Sequence, residues 1–436
     1  MNPSTSSLVA RGFKSVAVIE GFELRAVILS MLYFFFLFGS YSVVKPVRDA
    51  MGTIYGVKHL QELFTATFLA SLVFAPVYSS LASRIRLSTF LPWVYGFIAA
   101  SVLTFFALFR TLQAPQQVHW VAAAFYVWVS TFNMLIISVF WSFMADIFSR
   151  SQAKRLFGFV AAGGTIGGIV GPLIATLLGK TIGNNGLMMI SAAGFIVTAV
   201  LVRLLAHEKA KLAAAGDEGQ KTTLDHKLSG GLFDGFLLLF RSPYLMLLAL
   251  FLLLMTWIST IVYFQLGDLI TKAFASADAR TQAYATIELT VNSLAVLLQL
   301  FGTGRLIRRF GVTIGLLLNP VIMAVAFLAV MFSPVLMVLG TIQVVRRVAE
   351  YAVAKPTREM LFTVVDQESK YKAKNVIDTV VYRFGDLSSS WVSHAVLPFG
   401  VAGLAIFGAI VSVIWFPVAF LLGHRYEAAR VEAPSN

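Results

Sequence analysis

The chain contains no cysteine, which excludes disulfides, thiolate metal sites and cysteine nucleophiles. Charge is scarce as well: 13% of the 436 residues are Asp, Glu, Lys or Arg, against 58% hydrophobic. A water-soluble chain of this length could not cover its surface with so few polar groups. The six histidines stand singly at 59, 119, 207, 226, 394 and 424, with no His-x-x-x-His or similar pair. A histidine metal centre or a nucleophile–base couple therefore has no support. No GxxxxGK[ST] loop occurs, so a Walker-type hydrolase is excluded too. No enzyme, metal or cofactor is expected.

Long apolar runs take the place of these features, and the mean hydropathy is +0.81. A helix of about 20 residues crosses roughly 30 Å of hydrocarbon. Runs of that length are predicted near 25–48, 60–82, 89–111, 118–146, 155–179 and 186–206. A second set follows near 243–270, 280–304, 311–332, 334–356, 373–396 and 399–423. The expected fold is an all-α polytopic membrane protein of twelve transmembrane helices. Residues 1–206 and 242–436 form its two six-helix bundles and 207–241 a cytoplasmic linker. The end of that linker, GGLFDGFLLLF, fits either an amphipathic helix on the membrane surface or the start of the seventh span. The first 24 residues are mixed and polar, and no signal peptide is expected among them.

The net charge of +13 is read as loop charge, because lysine and arginine collect in cytoplasmic loops. It is not read as a nucleic-acid surface. Arg84, Arg86, Arg150, Lys154, Arg155, Arg305, Arg308, Arg309 and the cations from Lys355 to Lys374 then lie inside. Both termini are expected in the cytoplasm of a bacterium, with the chain in the inner membrane and monomeric.

Shifted by 220 residues, DIFSRSQAK at 146–154 falls on DQESKYKAK at 366–374, and Arg84-Ile-Arg86 falls near Arg305-Leu-Ile-Arg308. These echoes match span four to span ten and span two to span eight. Two parallel six-helix repeats on a cytoplasmic linker are the architecture of the major facilitator superfamily. The glycine-rich fifth span resembles the motif of facilitator-type antiporters. Its Gly164, Gly168 and Gly171-Pro172 are expected at a close helix–helix contact, with a bend at the proline.

A charge at mid-bilayer costs about 2.5–3.5 kcal/mol on insertion scales, so ionisable residues inside spans face a cavity or a partner. The spans hold Lys45, Arg48 and Asp49, then Glu288, then Gln343, Arg346, Arg347 and Glu350, and finally Asp378, Arg383 and Asp386. One reading makes these internal salt bridges, Arg347 with Glu350 and Arg383 with Asp386 or Asp378. The other makes Lys45, Arg48, Arg346, Arg347 and Arg383 a binding site for an anionic small molecule, because arginine forks bind carboxylate and phosphate oxygens. Glu288, Glu350, Asp378 and Asp386 would then be ion-pair or proton-coupling groups. Adjacent residues on a helix point about 100° apart, so Arg346 and Glu350 are expected on one face. Arg347 would then reach another helix, with an acid on span eleven as the candidate. Trp141, Asn133, Tyr126 and Tyr382 are candidate cavity residues. Asp49 and Asp268 at the outer ends, and Asp146 with Arg150 and Asp366 with Lys370 inside, are candidate gates.

The stretch AKPTREMLFTVVDQESKYKAKNVIDTVVYRFGD at 354–386 resembles the nucleotide-exchange ATP/ADP translocases of intracellular bacteria and plastids. Pro356-Thr357-Arg358-Glu359-Met360, Asp366-Gln367-Glu368-Ser369-Lys370, Lys372, Lys374 and Ile377-Asp378 stand where those carriers have matching runs. Arg48-Asp49 resembles their first-span basic–acidic pair. Gly385-Asp386-Leu387-Ser388-Ser389 departs from a Gly-Lys-Ser-Gly-Gly type stretch, with an acid in place of a lysine. The resemblance implies a secondary transporter for a nucleotide or related phosphate ester, working by exchange or proton coupling. A proton-coupled exporter of amphiphilic compounds is the alternative, favoured by the glycine-rich span and the aromatic content.

The 220-residue shift also sets Arg48 against Asp268. An ion pair between them in the inward-open state predicts that Arg48→Asp and Asp268→Arg each abolish transport. The double swap recovers it in proteoliposomes at matched protein density.

Overall fold

The computed structural model describes residues 19–85, 87–112, 114–215, 234–365, 373–374 and 376–432. Its regular structure there is all helical, with no strand among the described residues. The chain forms two compact units, Met1–Asp49 with Ala70–Asp225 and Ala50–Leu69 with His226–Asn436. In chain order α1 is Leu24–Tyr55, α2 Leu60–Arg84, α3 Leu87–Thr111, α4 Pro115–Ile147 and α5 Arg150–Ala215. Then follow α6 Asp234–Arg241, α7 Pro243–Ala273, α8 Ala277–Leu298, α9 Gly304–Phe332 and α10 Leu336–Ala349. The last are α11 Lys355–Leu361, α12 Tyr382–Val396 and α13 Gly400–Glu432.

Helix starts carry their own signals. Ser149 and Gln152 cap α5 reciprocally, each side chain bonding the other's backbone N–H at 3.4 and 3.0 Å. The hydroxyls of Ser242 and Ser276 accept from the N–H groups of Leu245 and Ala279, capping α7 and α8 at 3.3 and 3.2 Å. Pro115 and Pro243 open α4 and α7, where a missing N–H breaks no helical bond.

Seven helical stretches among the described residues are long and apolar enough to cross a membrane. Three of them run 58, 56 and 54 residues, at Ser151–Glu208, Ala277–Phe332 and Ile377–Arg430. At about 1.5 Å per residue each is far longer than one bilayer. Each is interrupted by a glycine at positive φ: Gly183 at 64°, Gly311 at 79° and Gly400 at 71°. An L side chain is disfavoured there, so these residues mark where the helical path breaks.

In the first unit α3 packs on α5. Close approach of α5 to α1 is carried by small residues: a methyl at Gly163 would lie 2.1 Å from the Met31 carbonyl, and at Gly167 2.5 Å from that of Phe35. Gly164 meets the ring of Phe34, and Gly171 meets Ser42 and the Gly39 carbonyl. Gly168 and Pro172 are buried beside them. Phe34 stacks on Phe140 at 4.0 Å, and Tyr33 meets Phe140 edge-on at 4.9 Å. In the second unit α13 packs on α9 and α7, and α12 on α7. Phe251, Ile258, Phe327 and Trp415 are buried in its core.

Polarity is distributed as a membrane protein requires. Trp93, Leu177, Phe332 and Met337 are 65–89% exposed, while Asp49, Glu288, Arg346, Arg347 and Glu350 are at most 9% exposed. Burying charge while exposing large apolar groups is unfavourable in water. It fits a surface solvated by lipid.

Gly167→Ala is expected to lower the thermal midpoint of purified protein, because overpacking a rigid contact costs about 1–3 kcal/mol. Gly96→Ala, with nothing within 4 Å of its added carbon, leaves the midpoint unchanged or slightly raised. Equal midpoints for the two variants would refute the close contact.

Candidate functional site

The adjacent arginines of α10 sit in different electrostatic settings. Arg347 reaches α8, where its two terminal nitrogens meet both carboxylate oxygens of Glu288. It also donates to the Tyr351 hydroxyl at 2.9 Å and lies 5.2 Å from the centre of that ring. Lys355 approaches the same ring at 4.7 Å. Arg346 stays with its own helix and α7. Its Nη1 donates to Glu350 Oε2 at 2.9 Å and to Ser259 Oγ at 2.6 Å, while Nε and Nη2 donate to Gln343 Oε1 at 3.1 and 3.0 Å. Arg346 and Glu350 thus share a face. Arg347 crosses to another helix, but its acid is Glu288 of α8 and not a residue of the eleventh span.

Glu350 also begins a wide helical turn, Glu350–Ala354, in which the N–H of Lys355 bonds back to Glu350. Such π turns leave carbonyls without their usual partners. The neighbouring turn Gln299–Thr303 is also of this type and supplies the missing donors. Gln299 donates to the Tyr351 carbonyl at 2.9 Å and Thr303 to that of Ala352 at 2.6 Å. Side chains of one irregular turn thus satisfy carbonyls freed in the other. A third π turn spans Ile377–Val381 and includes Asp378.

Asp378 pairs with Arg358 at 3.3 Å, and Arg383 with Asp386 at 3.4 Å on the same helix. Arg358 also approaches Glu359 at 3.6 Å, and Lys374 bonds Glu359. Burial raises the Glu359 pKa, but the Lys374 bond and charge, with Arg358, outweigh it and hold the group below its ordinary range. Tyr382 is half-buried at the start of α12.

A second arginine site lies in the first unit. Arg48 donates to Asp49 Oδ1 through Nε at 3.0 Å and Nη2 at 2.5 Å, and reaches Ser130 at 3.4 Å. Its guanidinium lies 5.2 Å from the centre of the Tyr126 ring, in a cation–π contact. Lys45 is half-buried one turn earlier, Asn133 is half-buried on α4, and Asp146 is exposed. Trp141 packs edge-on against Phe34 and Phe140. Asp268 is bonded by Lys272 at 2.6 Å. Asp366, Lys370 and the side chain of Arg150 lie outside the described residues.

Sequence reading missed Ser259, Ser130, Tyr351 and the pair Gln299–Thr303, since a hydroxyl or amide in an apolar run carries no charge signal. It also passed over Glu23, which is fully buried just before α1. Arg155 donates to Glu23 at 2.9 and 3.3 Å, and Gln152 Nε2 donates to Glu23 at 2.9 Å. The two acids Glu20 and Glu23 just before the first apolar run were the available signal.

A family model described as TLC ATP/ADP transporter matches residues 114–424. Among curated proteins, the chain is 23% identical to "ADP,ATP carrier protein 1" of Chlamydia pneumoniae, covering 87% of this chain and 86% of that one. It is 24% identical to the Chlamydia muridarum protein of the same name (93% and 89% covered). With "ADP,ATP carrier protein 3" of Rickettsia conorii the identity is 20%, at 93% and 92% coverage. Among solved structures, a bacterial homologue of the iron transporter ferroportin aligns with a TM-score of 0.67 at 12% identity, covering 92% and 99%. The nucleoside transporter NupG gives 0.55 at 16%, covering 94% and 99%. At these identities the structural likeness carries the fold, which is that of major facilitator transporters.

Removing one partner of a buried ion pair costs about 3–5 kcal/mol. Glu288→Gln is therefore expected to lower the thermal midpoint sharply. Glu359→Gln, at a half-exposed carboxylate, has a small effect that depends on pH. Because its folded pKa is lowered, the Glu359 contribution is full above the ordinary carboxylate range and is lost as pH falls below it. The midpoint difference between wild type and Glu359→Gln should shrink on acidification; a difference that grows would oppose the assignment.

Proposed function

We propose, from the premise that the chain belongs to the TLC ATP/ADP transporter family, that it moves a nucleotide or related phosphate ester across the bacterial inner membrane. That it is a membrane-embedded secondary transporter follows from the family; the solute and the cycle are the proposal. Arg346 is the observation that carries it. This guanidinium is 6% exposed and has Glu350 on one nitrogen and neutral oxygens on the rest of its fork. A phosphate can offer charged oxygens to the two terminal nitrogens in the place of Glu350 while Gln343 stays on Nε, and such charge-assisted bidentate bonds are about twice as strong as neutral ones.

Arg347 holds α10 to α8 through Glu288 and fixes the direction from which Arg346 is presented. Arg48 and Lys45 in the first unit, and Arg383 on α12, are the further cations of the proposed binding set. Asp49, Asp268, Asp146, Arg150, Asp366 and Lys370 are the proposed gates. The cycle is alternating access, driven by exchange of two anions or by protons taken up at Glu288, Glu350, Asp378 or Asp386. Each of the three long helical stretches then makes two crossings about its glycine, which turns the seven apolar stretches into ten crossings; α2 and α10 complete the proposed twelve, in two six-helix repeats with both termini inside.

Purified protein should be stabilised against heat by ADP, ATP or inorganic phosphate and not by neutral nucleosides. Arg346→Gln should remove most of that protection, with about a tenfold or greater loss of apparent affinity, since a charged hydrogen bond contributes about 1.5–3 kcal/mol. Stabilisation by neutral or cationic compounds alone would defeat the anion reading.

A further inference from the structure

The two arginines of α10 differ in how their acids are attached, and that difference bears on transport. Glu288 belongs to another helix and engages Arg347 with both oxygens. Both side chains are 8% exposed. Withdrawing Glu288 would separate α8 from α10 and leave two buried charges unpaired, which is costly. Glu350 sits one turn beyond Arg346 on the same helix and offers it a single oxygen. It can leave Arg346 by a side-chain rotation, with no helix displaced. Gln343 and Ser259 hold the guanidinium in position meanwhile. Arg383–Asp386 is also an own-helix pair, but longer and more exposed, at 3.4 Å and 17%.

We infer that Glu350 is an internal counter-ion that occupies the solute's place on Arg346 when the carrier is empty. This rests on the reading that Arg346 binds the solute anion. An arriving phosphate exchanges Glu350's one oxygen for a two-oxygen fork, and departure of the solute lets Glu350 return. The empty carrier therefore never buries a bare guanidinium. Since Arg346 and Glu350 ride on one helix, the pair survives any rigid movement of α10. The empty form is thus able to reorient, and the carrier performs net movement of solute in addition to one-for-one exchange. Without the Glu350 charge, the empty form carries an unpaired buried cation and reorients poorly. The loaded form meanwhile loses a competitor for Arg346.

The test uses the full-length chain, wild type and Glu350→Gln, with ADP as probe. In thermal titrations the half-saturating ADP concentration should fall about tenfold or more in Glu350→Gln. In proteoliposomes the ratio of ADP uptake into empty vesicles to uptake into ADP-loaded vesicles should fall by a similar factor. A folded Glu350→Gln with unchanged or weaker ADP affinity, or with an unchanged ratio, overturns the inference. If that variant does not fold, Glu350→Asp keeps the charge but shortens its reach, and both quantities should shift part-way in the same directions; wild-type values there also overturn it. Failure of the parent reading looks different: ADP and inorganic phosphate then protect neither wild type nor Glu350→Gln, and Arg346→Gln behaves as wild type. That result removes both.

Discussion

The pairing of Arg347 with Glu288 is the constraint on which the second unit's interior depends. Two adjacent cations in an apolar helix are tolerable only if at least one is neutralised across a helix interface, because own-helix geometry cannot bring one acid onto both. Glu288 on α8 supplies that neutralisation with both oxygens. Tyr351 adds a hydroxyl and a ring face to the same guanidinium. Once Arg347 is fixed, the helical offset of about 100° between neighbours dictates that Arg346 turns elsewhere. It turns to Gln343 and Glu350 on its own helix and to Ser259 on α7.

The wide turns follow from the same requirement. Pro356 has no N–H to offer the carbonyl of Ala352 four residues earlier, so even a regular helix through 350–354 leaves that acceptor for Thr303. The π turn shifts the register after Glu350, so that Tyr351 and Lys355 fall where their cation–π contacts form. The freed carbonyls are taken up by side chains of the matching turn at 299–303. Irregular backbone at membrane depth persists only where protein groups satisfy it, and here Gln299 and Thr303 do so for the carbonyls of Tyr351 and Ala352.

The all-helical membrane architecture was legible in the runs of apolar residues, and two of the three breaks lie beside polar residues, Gly183 before Asn184-Asn185 and Gly311 after Arg308-Arg309. The Arg346–Glu350 face was legible too, from i and i+4 spacing alone. Glu288 as the partner of Arg347 was not, because an interhelical contact depends on how α8 and α10 pack, which periodicity does not encode. The close helix contact in the first unit shows the same division. A small-residue run announces that something approaches, but Gly163 and Gly167, which the sequence reading did not single out, face the α1 carbonyls as directly as Gly171 does. The π turns were missed in the sequence, where Gly302 and Pro356 are the available signals: glycine lowers helix propensity and proline withholds an N–H from Ala352.

The ion pairs of the second unit fall into two mechanical kinds. Arg347–Glu288, Arg358–Asp378 and Lys374–Glu359 join residues distant along the chain, so each fixes one element against another. Arg346–Glu350 and Arg383–Asp386 join residues four and three apart on one helix, so each travels with its helix. A carrier that alternates between two orientations needs both kinds. The first preserves the helix arrangement that presents a binding group, and the second neutralises that group without tying it to a part that moves differently. The acid at Asp386, in a position where the related translocases resemble one another by carrying lysine, gives α12 a neutral own-helix pair in place of added positive charge. Under the proposed function, recognition of the anion therefore falls more heavily on α10 than the family resemblance alone implies.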